Sequence, residues 1–191
     1  MVCYTEHTPL WLNWLAPAEL LEDNDLFRIV IFYVFHSPCV GLSAMGKTLQ
    51  EYNWNTPWRT PYKLNMQLKE ASSNKELIFS AKSYGTMSEA LEKANLLNDF
   101  PSDLSKERIC IYDCKKNQFL SVFFHIRNAF AHGRMNIVVD GEETIFILED
   151  ISNCQAEQCK VSARMIIRKS TLLNWIDLIE GGEKEYIVEG K

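Results

Sequence analysis

The sequence has no excess of basic residues. Its 20 Lys and Arg stand against 25 Asp and Glu, a formal net charge of −5 with a pI near 5.4. A generic polyanion binder is thereby excluded, and any contact with nucleic acid has to come from a local basic patch. No apolar run is long enough for a bilayer: the longest, Leu26 to Phe35, is interrupted by Arg28 and is too short to span one. The opening Val2-Cys3-Tyr4-Thr5-Glu6-His7 lacks the basic-then-apolar pattern of a secretory signal. A soluble, cytoplasmic protein is the expectation. Repeats, low-complexity tracts and an evident interdomain linker are missing as well. Six cysteines are present, but none form a C-x2-C knuckle. Cys110 and Cys114 are spaced C-x3-C, and Cys154 and Cys159 C-x4-C, which admits a zinc-stabilised scaffold only as a minor reading. Without a secretory signal, reduced structural thiols are expected instead. Neither a metal nor a cofactor is expected.

What is present is ordinary globular composition, 47% hydrophobic and 24% charged over 191 residues, enough for one domain with a good core. Residues 8–22 have helical spacing interrupted at Pro17. Asp23-Asn24-Asp25 caps a greasy segment from Leu26 to His36 whose periodicity fits a buried helix or strand, with cap and length favouring helix. Ser37-Pro38 ends or kinks it, and Val40 to Leu49 continues as helix. Residues 50–62 are irregular, with Trp54 and Trp58 among prolines. They can grip a base or a peptide, but the commoner role is a flap packed over the core. Short helices are expected over Lys63 to Ala71 and Lys75 to Tyr84. Thr86-Met87-Ser88-Glu89 has the pattern of a capping box opening a helix to about Leu97. Ile109 to Tyr112 is either a brief strand or the lead-in to the next helix.

That next helix carries the densest chemistry. Phe119, Leu120, Val122, Phe123, Phe124 and Ile126 form an apolar stripe, and His125, Arg127, Asn128 and His132 are set into it before Gly133. Buried helices rarely carry costly polar side chains without a partner or a purpose. Each helical residue turns about 100°, so His125, Asn128 and His132 share a face, while Arg127 lies roughly 140° from His132. Either the helix unwinds at His132, or a second copy of the chain supplies the missing group. After Gly133, Met135 to Val139 and Thr144 to Ile151 flank Asp140-Gly141, a hairpin signal. Val161 to Arg168 reads as a third strand, and Ser170-Thr171 caps a last helix, Leu172 to Ile179, ending at Gly181-Gly182.

Arg127-Asn128-Ala129-Phe130-Ala131-His132-Gly133 resembles the Arg-Asn-x3-His signature of the HEPN superfamily of ribonucleases and nucleotide-binding modules, particularly its stand-alone bacterial members. The match is specific over about a dozen residues and architectural elsewhere. It implies a mainly α fold: a helical bundle over 1–133, a small antiparallel β excursion over 134–169 and a closing helix over 170–181, all in one domain. It also implies metal-independent RNA cleavage by 2′-hydroxyl attack, giving a 2′,3′-cyclic phosphate. His132 would be the general acid or base. Arg127 would hold the scissile phosphate, and Asn128 would orient His132 or donate to a phosphate oxygen. Arg134 and His125 would extend substrate binding. The site would be composite in a homodimer, and the protein a toxin or antiviral-defence effector with an antitoxin partner. Arg134 stands where some antitoxin-regulated relatives carry a modified tyrosine, which puts that route of regulation in doubt. The alternative is a catalytically silent HEPN-like module binding a nucleotide or a protein. Independently of any family, Arg127 and His132 can cap helix-end carbonyls and pair with Glu149 or Asp150. Arg164, Arg168 and Lys169 can guide RNA along a sheet edge, although a solvated charged face is the commoner explanation.

Overall fold

The computed structural model describes residues 23–39, 45–59, 62–72, 77–97, 101, 103–115, 117–152 and 160–183. Five strands form one sheet of order β1-β2-β5-β4-β3. They are β1 (Ile78–Ala81), β2 (Arg108–Tyr112), β3 (Met135–Asp140), β4 (Glu143–Ser152) and β5 (Lys160–Arg168). β1 and β2 are parallel; every other neighbour pair is antiparallel. The helices are α1 (Asn24–Ile31), continued by a π-helical turn over Phe32–His36, then α2 (Lys63–Glu70), α3 (Met87–Lys93), α4 (Gln118–Ala131) and α5 (Lys169–Gly181).

This overturns the mainly α bundle. The chain is mixed α/β, and two of its strands precede the helix that carries the Arg-Asn-x3-His motif. The segment expected as a helix from Lys75 to Tyr84 is strand from Ile78 to Ala81, followed by a 3-10 turn over Tyr84–Thr86. Four residues are too few for a period to declare itself. What makes them a strand is a parallel neighbour some thirty positions away, with Ile78 opposite Ile109 and Ala81 opposite Tyr112. The same pairing decides Arg108–Tyr112 in favour of strand.

Strand side chains alternate between faces, and here the two faces are covered by different helices. Ile109, Ile111, Phe146, Leu148 and Met165 meet Phe119, Phe123 and Ile126 of α4 and Trp175 and Ile179 of α5. On the other face Cys110, Ile145, Ile147 and Ile166 meet Met87, Ala90 and Leu91 of α3. Interior strand β4 is therefore buried from Thr144 through Asp150. This explains its nearly unbroken apolar sequence.

Other expectations are met locally. Asp140 pairs with Glu143 across a tight turn in which Gly141 has φ +65°, the left-handed region open to glycine. Asp23 caps α1 by accepting from the Asp25 amide at 2.8 Å. Ser37 closes the following turn through its amide to the Phe32 carbonyl. Trp54 is buried as a flap, its indole N–H donating to the Ile179 carbonyl at 3.0 Å. The capping box does not form: the Thr86 hydroxyl donates back to the Ser83 carbonyl at 3.1 Å, and α3 stops at Lys93 before Asn95 at φ +54°. The helix expected from Val40 has no helical continuation at 45–49. Residues 8–22 and the loop with Cys154 and Cys159 lie outside the described residues. No described helix is long and apolar enough to cross a membrane.

Candidate functional site

Helix α4 is defined sharply at both ends. Asn117 is its N-cap, with Oδ1 accepting from the amides of Phe119 (2.8 Å) and Leu120 (3.4 Å), so two otherwise unpaired donors are satisfied. At the other end Gly133 takes φ +64°. Its amide donates to Phe130 O at 3.1 Å, and that of Arg134 to Ala129 O at 2.8 Å, the paired closure that a left-handed residue after the cap permits. The chain passes directly into β3, and β4 returns antiparallel beneath α4. That return brings Glu149 and Asp150 to the helix end, and strand alternation sends them to opposite faces of the sheet.

Asp150, 3% exposed, organises the α4 side. It receives His125 Nδ1 at 2.6 Å and Asn128 Nδ2 at 3.2 Å on the same oxygen, Oδ2. The other ring nitrogen of His125 lies 2.7 Å from the Tyr112 carbonyl oxygen and 3.8 Å from Cys114 Sγ. A carboxylate and a carbonyl accept only, so both ring nitrogens carry protons and His125 is an imidazolium. Burial opposes that charge, but the Asp150 hydrogen bond, the Cys114 contact and the Tyr112 carbonyl outweigh it and raise the pKa to about 9. His125 is 1% exposed. It ties the helix to β2 and β4 and does not face a substrate, which corrects its expected part in substrate binding.

Asn128 extends this chain of bonds outward. Its Oδ1 accepts from Arg127 Nη1 at 3.0 Å, so the sequence Tyr112 carbonyl, His125, Asp150, Asn128, Arg127 is continuous. Arg127 is half-buried, its Nε is enclosed without a hydrogen-bond partner, and it pairs with no carboxylate among the described residues. Lys115 and Arg127 both act on the Cys39 thiol: burial pushes that thiol up to about 11, against the Ser37 hydroxyl and the field of these two cations. Lys115 also sits 4.1 Å above the ring of Phe124. The outer side of α4 thus carries the local positive charge that the acidic chain as a whole lacks.

His132 caps α4 with its backbone amide on Asn128 O and Phe130 O, and its side chain is exposed. The helix runs regularly to Ala131, so the angular offset between Arg127 and His132, about 140°, persists within one chain. Arg134 is on the opposite side of the sheet. It binds Glu149 Oε1, while Arg164 Nε holds Glu149 Oε2 at 3.0 Å. Arg164 is fully buried and donates from Nη1 to Leu96 O at 2.8 Å. Its proposed part in guiding RNA is corrected accordingly. Arg168 donates to Ser105 O, and Lys169 pairs with Asp23.

Sequence reasoning paired Asp150 with the wrong residues and missed the relay. The available signal was two adjacent carboxylates inside the apolar run Thr144 to Ile151. Cys110 is buried against α3 and Cys114 is exposed beside His125. Among the described residues no cluster of His, Cys, Asp and Glu could hold a metal ion. In comparison with known proteins, no family model matches the chain, and neither the curated proteins nor the solved structures return a significant match.

Proposed function

We propose that this protein is a metal-independent endoribonuclease acting through Arg127, Asn128 and His132, as the resemblance of its motif to HEPN ribonucleases implies. One observation carries the reading. Among the described residues Arg127 pairs with no carboxylate, yet a chain of hydrogen bonds from Asp150 through Asn128 holds it. A guanidinium held in one orientation, with its charge unmatched, is suited to grip a phosphate. Arg28, Arg134 and Arg164, by contrast, are each spent on a carboxylate.

In this reading Arg127 binds the scissile phosphate and offsets the charge that grows on its oxygens as the 2′-hydroxyl attacks. His132 moves the proton, taking it from the 2′-hydroxyl or delivering it to the departing 5′-oxygen. Asn128 keeps Arg127 aligned. The angular offset calls for a second protomer, whose motif faces the first across a two-fold axis, so that each cleft receives Arg127 from one copy and His132 from the other. A toxin or defence role, with an antitoxin partner, belongs to this reading through the resemblance alone.

Purified protein incubated with RNA in EDTA provides the test. Cleavage to 2′,3′-cyclic phosphate ends that both Arg127→Ala and His132→Ala abolish is the expected result. Cleavage that requires metal, or that persists in His132→Ala, refutes it. A second reading draws on the His132 side chain, which no hydrogen bond orients among the described residues: a silent module that binds a nucleotide or a partner protein. Under it, RNA or nucleotide binding depends on Arg127 and no cut product forms.

A further inference from the structure

A cleft of about 600 Å³ opens where α2, β1 and the start of α4 meet. Two rings stand at it. Trp58 is half-buried, and Tyr62 is 60% exposed and held at φ +54° as the residue before α2. A bulky non-glycine residue in the left-handed region is strained, and such residues gather at binding sites. Leu120 supplies an apolar wall, and Ser80, Lys82, Asp113, Asn117 and Gln118 a polar one. Lys82 is neutralised by Asp113, and Gln118 rests on Ser80 at 3.4 Å. Asn65, one turn along α2 from Tyr62, lines the same cleft, and its Oδ1 has no donor among the described residues. An unmet buried acceptor is costly, and a ligand N–H at this position would satisfy it.

The cleft is aligned with Arg127. Leu120, Phe124 and Arg127 follow at i, i+4 and i+7 on the outer side of α4, all partly exposed. Seven residues of helix cover about 10 Å, and Phe124 with Lys115 over its ring lies between. An aromatic platform, a matched charge and a waiting acceptor suit an uncharged planar ring with an N–H edge. A simple anion would find Lys82 already engaged. We infer that this cleft, formed by Trp58, Tyr62 and Asn65, is a nucleobase subsite for single-stranded RNA whose neighbouring phosphate is held at Arg127. The inference rests on the ribonuclease reading for its substrate, and on the cleft itself for the ring it accepts. Rings from each base have a stacking face, so shape is tolerant, and the Asn65 acceptor favours bases with an exocyclic amine.

Two experiments on the full chain separate the subsite from the reaction. First, adenosine 5′-monophosphate is titrated at millimolar concentration while nitrogen-resolved NMR follows the Trp58 indole, assigned through Trp58→Phe. Selective shifts of the Trp58 indole and the Asn65 amide are expected, and their absence overturns the subsite. Second, labelled RNA oligonucleotides with one abasic position are bound to His132→Ala, with and without Tyr62→Ala. One abasic position should weaken binding about tenfold, and Tyr62→Ala about as much. The two together should cost no more than either alone. Additive losses overturn the proposal. Mononucleotide binding without RNA cleavage by the unmutated chain would sink the ribonuclease reading and leave the base-binding cleft standing. Cleavage without coupling at Tyr62 would do the reverse.

Discussion

Replacing His125 by glutamine should flatten one segment of the dependence of stability on pH. His125 has an ordinary value of 6.5 and is raised to about 9 in the folded chain. A group raised on folding contributes its full stability below the unfolded pKa and loses it as pH climbs through the folded one. The window therefore runs from 6.5 to about 9, and the loss across it is about 3 kcal/mol at 1.36 kcal/mol per unit. Glutamine cannot match the charge of Asp150, which stays enclosed, so His125→Gln is less stable at every pH. What changes is the gap between the two proteins, widest near pH 6 and about 3 kcal/mol narrower above pH 9. Groups whose surroundings are the same in both proteins cancel in that difference. Urea unfolding at a series of pH values, followed by circular dichroism, measures it. A gap that stays constant with pH would mean His125 is neutral in the folded chain, and the imidazolium assignment would fall. An NMR titration of the His125 ring with a midpoint at or below 6.5 would show the same failure directly.

Asp150→Ala removes the acceptor of both His125 and Asn128 and strands a buried charge, a loss of about 3–5 kcal/mol in unfolding free energy. If Asp150 also positions Arg127 through Asn128, Asn128→Ala should lower cleavage while leaving the unfolding midpoint nearly unmoved; loss of both in parallel would argue for stability alone. Arg164→Ala removes a cation that holds the buried Glu149 carboxylate and should destabilise by about 3 kcal/mol, with Arg164→Met distinguishing lost packing from stranded charge. Gly133→Ala forces a side chain into φ +64°, a cost of about 1–2 kcal/mol measurable by denaturation.

The correspondence between sequence and fold is uneven, and the unevenness has physical causes. Apart from the capping box at Thr86, features governed by neighbours along the chain were largely legible. Asp140-Gly141 marks the hairpin because few residues other than glycine take φ +65°, and Gly133 marks the end of α4 for the same reason. The buried stripe of α4, the final helix and the burial of Trp54 follow from patterns within one element. Features governed by distant partners were not. β1 is four residues long and becomes a strand only beside β2, and β2 only beside β5. That single circumstance turns an expected helical bundle into a mixed sheet.

The site divides along the same line. The sequence by itself determined that Arg127, Asn128 and His132 share one helix end, and that a regular helix keeps Arg127 and His132 about 140° apart. It could not assign partners to Glu149 and Asp150. Those depend on β4 returning under α4 in one register, which places Asp150 against His125 and Asn128 and sends Glu149 through the sheet to Arg134 and Arg164. A shift of one residue in that pairing would exchange the two carboxylates between the faces. Tertiary structure therefore decided that His125 is a buried charged brace, that Arg134 is bound to a carboxylate, and that Arg127 pairs with no carboxylate among the described residues.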